Sequence, residues 1–318
     1  MYPKPAVYDH ILAQPDGVHV GKEGRHSVDR ESSARRDTVS GFAPVTGIYA
    51  DMDYNEFLMK DILETKQEGR VLRVWLNCPD QSNSLTTELC RELVDTLDRA
   101  ERDGNVGSVL LAGRGESFCT GMDLNELATG DVEKVSRLQE ILFTMGARLT
   151  KPLIGAVQGA ALASGTGVVA NCHVVIASEN ATFGLTGIRL GLWPFVIFHA
   201  VSAAVGERRA IAMTITGEVL SAAEALRTGL VHKVVPIGEL EQRALEVAQT
   251  VANYSSHAMH TGLGFVRTVQ GQTWKDAAGV GRLIRDQFLK STEFQADLRV
   301  FLNQKSTNQG KDVWWPEG

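Results

Sequence analysis

The sequence predicts an α/β core followed by a helical C-terminal region, and three observations carry that reading. Short apolar runs of strand character alternate with amphipathic stretches from residue 70 to about residue 236. From Ile237 onward the pattern is helical only. At 318 residues and 43% hydrophobic composition, the chain can bury a large core in one or two domains. Alternation followed by a helical run marks a layered α/β domain with an added helical part.

The elements follow in order. Residues 1–62 differ in composition from the rest, and Val20 to Gly41 is polar, charged and aperiodic, which predicts a mobile arm. Arg70-Val-Leu-Arg-Val-Trp-Leu-Asn77 reads as a strand, ended by the Cys78-Pro-Asp loop. Thr86 and Thr87 are caps for a helix to about Asp103, with Leu89, Leu93, Val94 and Leu97 as its apolar face. Gly107 to Gly113 reads as a fully buried strand; Asp123 to Leu127 and Val132 to Leu149 are helical. Pro152 to Val157 is a strand, Ser164 to Asn171 a small-residue helix after a glycine-rich turn, and Val174 to Ala177 another strand. Helices over Phe198 to Val205 and Ala222 to Thr228 precede a short strand, Val231 to Val235. Three helices complete the chain: Leu240 to Asn253, Ser256 to Val269 and Trp274 to Asn303. The predicted units are an extension (1–62), an α/β core (63–236) and a helical region (237–318).

Composition excludes several partner classes. A net charge of −6 and a pI near 5.8 disfavour nucleic acid and anionic membranes, both of which select a basic face. No apolar stretch approaches the roughly 20 residues of a membrane span. Cys78, Cys90, Cys119 and Cys172 form no C-x-x-C pair and sit in core-like stretches, so buried thiols in a reducing compartment are expected. The first twenty residues carry Asp9 and Asp16 and no apolar run, so the cytoplasm is the expected location. His10, His19 and His26 are too dispersed for a local metal site, and no metal is expected.

Two segments can form a site. Gly113-Arg-Gly-Glu-Ser-Phe-Cys-Thr-Gly-Met-Asp-Leu124 and Gly159-Ala-Ala-Leu-Ala-Ser-Gly-Thr-Gly167 each run from a strand through a small-residue turn into a helix. First-turn N–H groups of a helix lack intrahelical partners and can face a developing oxyanion. Spacing alone fits tight packing of small residues equally well. Gly165-Thr-Gly167 also has the look of a dinucleotide fingerprint, but no ribose-binding acid follows at the required distance.

Asn83-Ser-Leu85, Ser117-Phe-Cys-Thr-Gly-Met-Asp-Leu124, Lys151-Pro-Leu-Ile-Gly-Ala-Val-Gln-Gly159, Ala177-Ser-Glu-Asn-Ala-Thr-Phe-Gly184 and the run from Thr216 to Pro236 resemble, in order, the signatures of the crotonase superfamily of enoyl-CoA hydratases and isomerases. The resemblance covers roughly residues 65–305. It implies a spiral fold of β-β-α repeats with a helical C-terminal trimerisation region, a homotrimer or hexamer, and an acyl-CoA thioester as substrate, with coenzyme A carried by the substrate and no separate cofactor. It implies an enolate held by the backbone N–H groups of Met122 and Ser164. Asn83, Ser84, Leu85, Asp123 and Leu124 then fall on the CoA-contacting segments, and Phe301 and Lys305 on C-terminal positions that touch CoA from a neighbouring subunit.

The sequence departs from that pattern where acid–base chemistry is expected. Gly167 and Gly187 stand at the positions that commonly carry the working glutamates. A positioned general acid or base contributes about 10²–10⁴-fold, so hydration loses its usual agents. Phe195-Val-Ile-Phe198 replaces a glycine-rich stretch and is expected to shrink the substrate space, and Asn125 stands where a lysine is frequent. Candidate substitutes are His199 and Glu126; His173 and Glu140 are also near in sequence, and the ordinary role for each of the four is a structural or solvated side chain. The expected activity is a lyase or isomerase of the hydratase/isomerase type. The alternatives are decarboxylation or other enolate chemistry, and a catalytically silent acyl-CoA-binding subunit.

Overall fold

A computed structural model describes residues 62–130 and 132–307. The arm with His10, His19 and His26, and the tail with Trp314 to Pro316, lie outside the described residues.

The first strand, β1 (Leu63–Glu68), pairs antiparallel with β2 (Val71–Leu76). Next come α1 (Thr87–Arg102), β3 (Ser108–Gly113), α2 (Leu124–Thr129), α3 (Val132–Phe143) and α4 (Met145–Arg148). The middle of the chain forms β4 (Leu153–Val157), β5 (Ala160–Leu162), α5 (Ser164–Ala170), β6 (Val174–Ser178) and β7 (Thr182–Gly184). Then follow α6 (Phe198–Val205), α7 (Glu207–Thr216), β8 (Val219–Ser221), α8 (Ala222–Thr228) and β9 (Lys233–Val235). The C-terminal helices are α9 (Leu240–Ala252), α10 (Ser256–Val269), α11 (Trp274–Phe288) and α12 (Thr292–Thr307).

Among the described residues the main sheet has six strands in the order β1-β2-β3-β4-β6-β9, parallel except for the β1 edge. A second, three-stranded sheet runs β5-β7-β8. After the β1–β2 hairpin, each main strand is followed by a turn or a short strand and then a helix. That repeat is the winding expected from the resemblance.

Burial on both faces explains the apolar strands. One face packs Val74, Leu76, Val109 and Leu111 against Leu89, Leu93 and Leu97 of α1. The other packs Leu110, Ile154, Ala156 and Ile176 against Leu240, Ala244, Leu245 and Ala248 of α9. The helical region therefore does not separate from the core at residue 237: α9 covers the sheet, and only α10–α12 extend beyond it. Two predicted helices are each split. Thr144 turns its hydroxyl back onto the carbonyls of Glu140 and Ile141, ending α3, and Ser291 accepts from Phe294 N to start α12. Among the described residues no disulfide forms and no helix is long and apolar enough to cross a membrane.

Candidate active site

The two small-residue turns lie side by side. Phe118 N donates to Gln158 O (2.9 Å), Cys119 N to Ala160 O (3.0 Å) and Leu162 N to Cys119 O (2.9 Å), so the turn after β3 is laced to β5 like an extra strand. Contact is so close that a Cβ on Gly165 would lie 2.0 Å from Cys119 O, which only glycine avoids. Thr166, fully buried, donates to Ala161 O at 2.7 Å and accepts from Gly184 N at 3.0 Å. The Gly165–Gly167 run is consumed by this packing, which leaves no space for a pyrophosphate and removes the dinucleotide reading.

The geometry fixes two N–H directions. Leu85 N donates to Gly121 O (2.7 Å) and Asp123 N to Leu85 O (3.2 Å), so in this parallel bridge the N–H of Met122 points away from Leu85. Ser164 is the first residue of α5, and its N–H has no intrahelical acceptor. The preceding Ala163 sits at φ +48° and ψ −116°, a conformation that costs an L residue about 1–3 kcal/mol. Its N–H donates to Gly184 O at 2.7 Å, so the second sheet holds the strained turn in place.

Met122 and Ser164 line one cavity of about 310 Å³, together with Glu126, Gly187, Ser136 and Gln139. Its remaining wall is apolar, formed mainly by Val135, Leu185, Leu192 and the run Trp193 to Ile197. Gln139 donates to Met122 Sδ at 3.4 Å. Glu126 is held by Thr87, whose backbone N (2.7 Å) and Oγ1 (2.6 Å) both donate to its Oε2.

The two glycines have unequal surroundings. A Cβ on Gly167 would stand 2.5 Å from Ile197 Cγ2 and 2.8 Å from Ile197 Cβ, inside packed core. A Cβ on Gly187 would meet Leu192 O at 3.2 Å and open cavity beyond. Within the run expected to shrink the substrate space, Phe195 to Ile197 line the cavity; Phe195 is 77% exposed, and the buried Ile197 is the residue that fills the space beside Gly167.

Other candidate residues distribute as follows. His199 is exposed on α6 and does not line the cavity, so it is not placed to act there. Glu140 is exposed and also absent from the wall. His173 is structural: its Nδ1 accepts from Leu153 N (2.9 Å), so Nε2 carries the proton and donates to Gly146 O (3.0 Å), and burial holds its pKa below the usual histidine value. Asn83 is fully buried, with its side chain spent on the loops: Oδ1 accepts from Cys78 N (2.8 Å), and Nδ2 donates to Arg114 O (2.9 Å) and Ser117 O (2.8 Å). Leu85 is fully buried and Ser84 half-buried. Asp123 caps α2, accepting from Asn125 N and Glu126 N, while Leu124 is exposed. Phe301 is exposed on α12 and does not line the cavity; the side chain of Lys305 lies outside the described residues. Burial drives the thiols of Cys90, Cys119 and Cys172 up to about 12, which makes them packing groups rather than nucleophiles.

Sequence reading missed Ser136 and Gln139. The available signal was a polar residue on the apolar stripe of α3: Gln139 lies four residues after Val135 and three before Leu142.

The enoyl-CoA hydratase/isomerase family model matches residues 66–308. This chain belongs to that family, within the crotonase superfamily of acyl-CoA enzymes. It is 32% identical over 257 residues to enoyl-CoA hydratase EchA19 of Mycobacterium tuberculosis, covering 76% of this chain and 94% of the relative. It is 34% identical over 216 residues to the 2,3-dehydroadipyl-CoA hydratase of Escherichia coli, covering 67% and 84%. The fold superposes on the crystal structure of an enoyl-CoA hydratase from Mycobacterium smegmatis with a TM-score of 0.73 and 26% identity, over 77% of this chain and 97% of that one.

Proposed function

We propose that this protein binds an acyl-CoA thioester and stabilises its enolate between the N–H groups of Met122 and Ser164. The observation that carries the reading is that Met122 and Ser164, whose N–H groups are engaged by neither the Leu85 bridge nor the α5 helix, line one largely apolar cavity. Such a pair matches a thioester oxygen as it gains charge, and loss of one donor of this kind costs about 2.7–4 kcal/mol of transition-state stabilisation. The apolar wall suits an acyl chain. Exposed Leu124, beside the Met122 turn, and half-buried Ser84 are the surface positions through which CoA would enter, while Asn83 and Leu85 support them from beneath.

Water addition is the family reaction this site supports least. Gly187 offers no carboxylate, and Ile197 fills the place of a side chain at residue 167. Chemistry that needs only an enolate fits better: proton exchange, double-bond migration, or loss of carbon dioxide from a carboxylated acyl group. Buried thiols suit a reducing compartment such as the cytoplasm.

The test is calorimetry with saturated, unsaturated and carboxylated acyl-CoAs, followed by NMR of hydrogen exchange at Cα in heavy water and by turnover assays. Affinity with exchange or turnover is the expected result. Affinity with neither makes the protein a silent acyl-CoA-binding subunit, and no CoA-ester affinity sinks the proposal.

A further inference from the structure

We infer that Glu126 moves the proton in this cavity, so that the site performs a one-carboxylate proton shift on a bound acyl thioester. The inference rests on the acyl-CoA reading above and adds the group that reading leaves unnamed. Among the described residues that line the cavity, Glu126 alone has an ionisable side chain. His199 and Glu140 are outside it, and His173 is tied to Leu153 and Gly146.

Its placement follows from the fold. Glu126 lies in the first turn of α2, four residues after Met122, so the junction of the Met122 loop with α2 carries both an N–H donor and a carboxylate. Asp123 caps that turn, fixing the helix start. Both hydrogen bonds from Thr87 fall on Oε2, and among the described residues Oε1 accepts none. The carboxylate is therefore oriented through one oxygen, with the other left to take a proton. A purely capping role for Glu126 at the N-terminus of α1 would also use Oε2; the position on the cavity wall and the open Oε1 are what capping alone does not require.

The step balances without a co-reactant. Glu126 takes the Cα proton; the C–H electron pair becomes the C=C bond of the enolate, and the carbonyl π pair moves to the thioester oxygen facing Met122 and Ser164. When the carboxyl proton swaps with solvent deuterium before it returns to Cα, the result is exchange. In a β,γ-unsaturated chain, return at Cγ moves the double bond into conjugation.

The experiment compares the native chain with Glu126→Gln, which keeps an oxygen for Thr87 to bind. The readings are butanoyl-CoA affinity, Cα exchange in heavy water, conversion of but-3-enoyl-CoA to but-2-enoyl-CoA, and Tm. Expected are native affinity and Tm, with exchange and conversion reduced about 10²–10⁴-fold. Thr87 is a positioning residue: Thr87→Val slows exchange about tenfold or more at retained affinity, and Thr87→Ser restores it. If Glu126→Gln does not fold, this second pair decides. Native-rate exchange in Glu126→Gln, or in a Thr87→Val variant, overturns the inference. Binding without exchange in the native protein overturns it while leaving the acyl-CoA reading intact, and absence of binding overturns both.

Discussion

Gly167 and Gly187 hold matching positions in the family resemblance, yet their surroundings make them different kinds of change. Gly167 and Ile197 are complementary: the isoleucine is buried and its branched carbon occupies the place of the missing side chain. Gly187 has space beside it that only Leu192 borders, its carbonyl oxygen 3.2 Å from where a Cβ would stand. Reversal should therefore be asymmetric. Gly187→Glu is expected to fold with a stability within about 1 kcal/mol of native, because its extra atoms enter open cavity. Gly167→Ala should lose about 1–3 kcal/mol by overpacking. Trimming Ile197 to Ala should remove part of that loss, giving a coupling of about 0.5–3 kcal/mol in a double-mutant cycle. Urea unfolding of the four proteins measures this; a Gly167→Ala variant as stable as native would contradict the interlock. Hydratase activity gained in Gly187→Glu would show that one restored carboxylate is enough.

His173 shows how a residue that suggests chemistry serves the joining of elements instead. It bridges β4 to α4 as a neutral ring, and protonation of Nδ1 would turn the acceptor for Leu153 N into a donor. Its folded pKa lies below the ordinary 6.5, chiefly through burial, which outweighs the opposing effects of the Gly146 hydrogen bond and the Glu101 charge. Between the folded and unfolded values the unfolded chain binds more protons. The contribution is thus complete above pH 6.5 and is lost as pH falls from there toward the folded pKa. Native protein should lose stability between pH 7.5 and 5.5 more steeply than His173→Gln, by at most about 1.4 kcal/mol per pH unit, as read from urea midpoints. Equal slopes would remove His173 from the acid limb. Besides the helix α7, the elements that sequence reading missed are those with little side-chain pattern. β1 is a polar edge strand, and β5, β7 and β8 have three residues each, too few to express a period of two. Long-range pairing makes them: β5 exists because Cys119 and Thr182 flank it. The two turns of the site were readable as small-residue runs before helices. The strain at Ala163, the spent side chain of Asn83 and the filling role of Ile197 depend on neighbours far along the chain.

The C-terminal helices were readable from their period, but not what they pack against. α10 and α11 have no buried side chain, and α10–α12 expose Val266, Trp274, Leu283, Leu289, Val300 and Leu302. Trp274 is 95% exposed. A small aromatic cluster, His257 stacked on Phe288 at 4.8 Å with Phe294 beside it, ties the helices to one another. Among the described residues, that cluster leaves these apolar side chains exposed. Exposed apolar side chains in this number, where they adjoin, are commonly an interface. We therefore extend the proposal to assembly: copies associate through α10–α12, as a trimer or a pair of trimers. Sedimentation equilibrium should give three or six times the 34.6 kDa chain mass. Leu283→Asp should lower that mass toward one chain, because a desolvated carboxylate at an interface costs several kcal/mol per copy. A native protein that stays monomeric and soluble at micromolar concentration would rule the assembly out and would leave the exposed face of α10–α12 to a different partner.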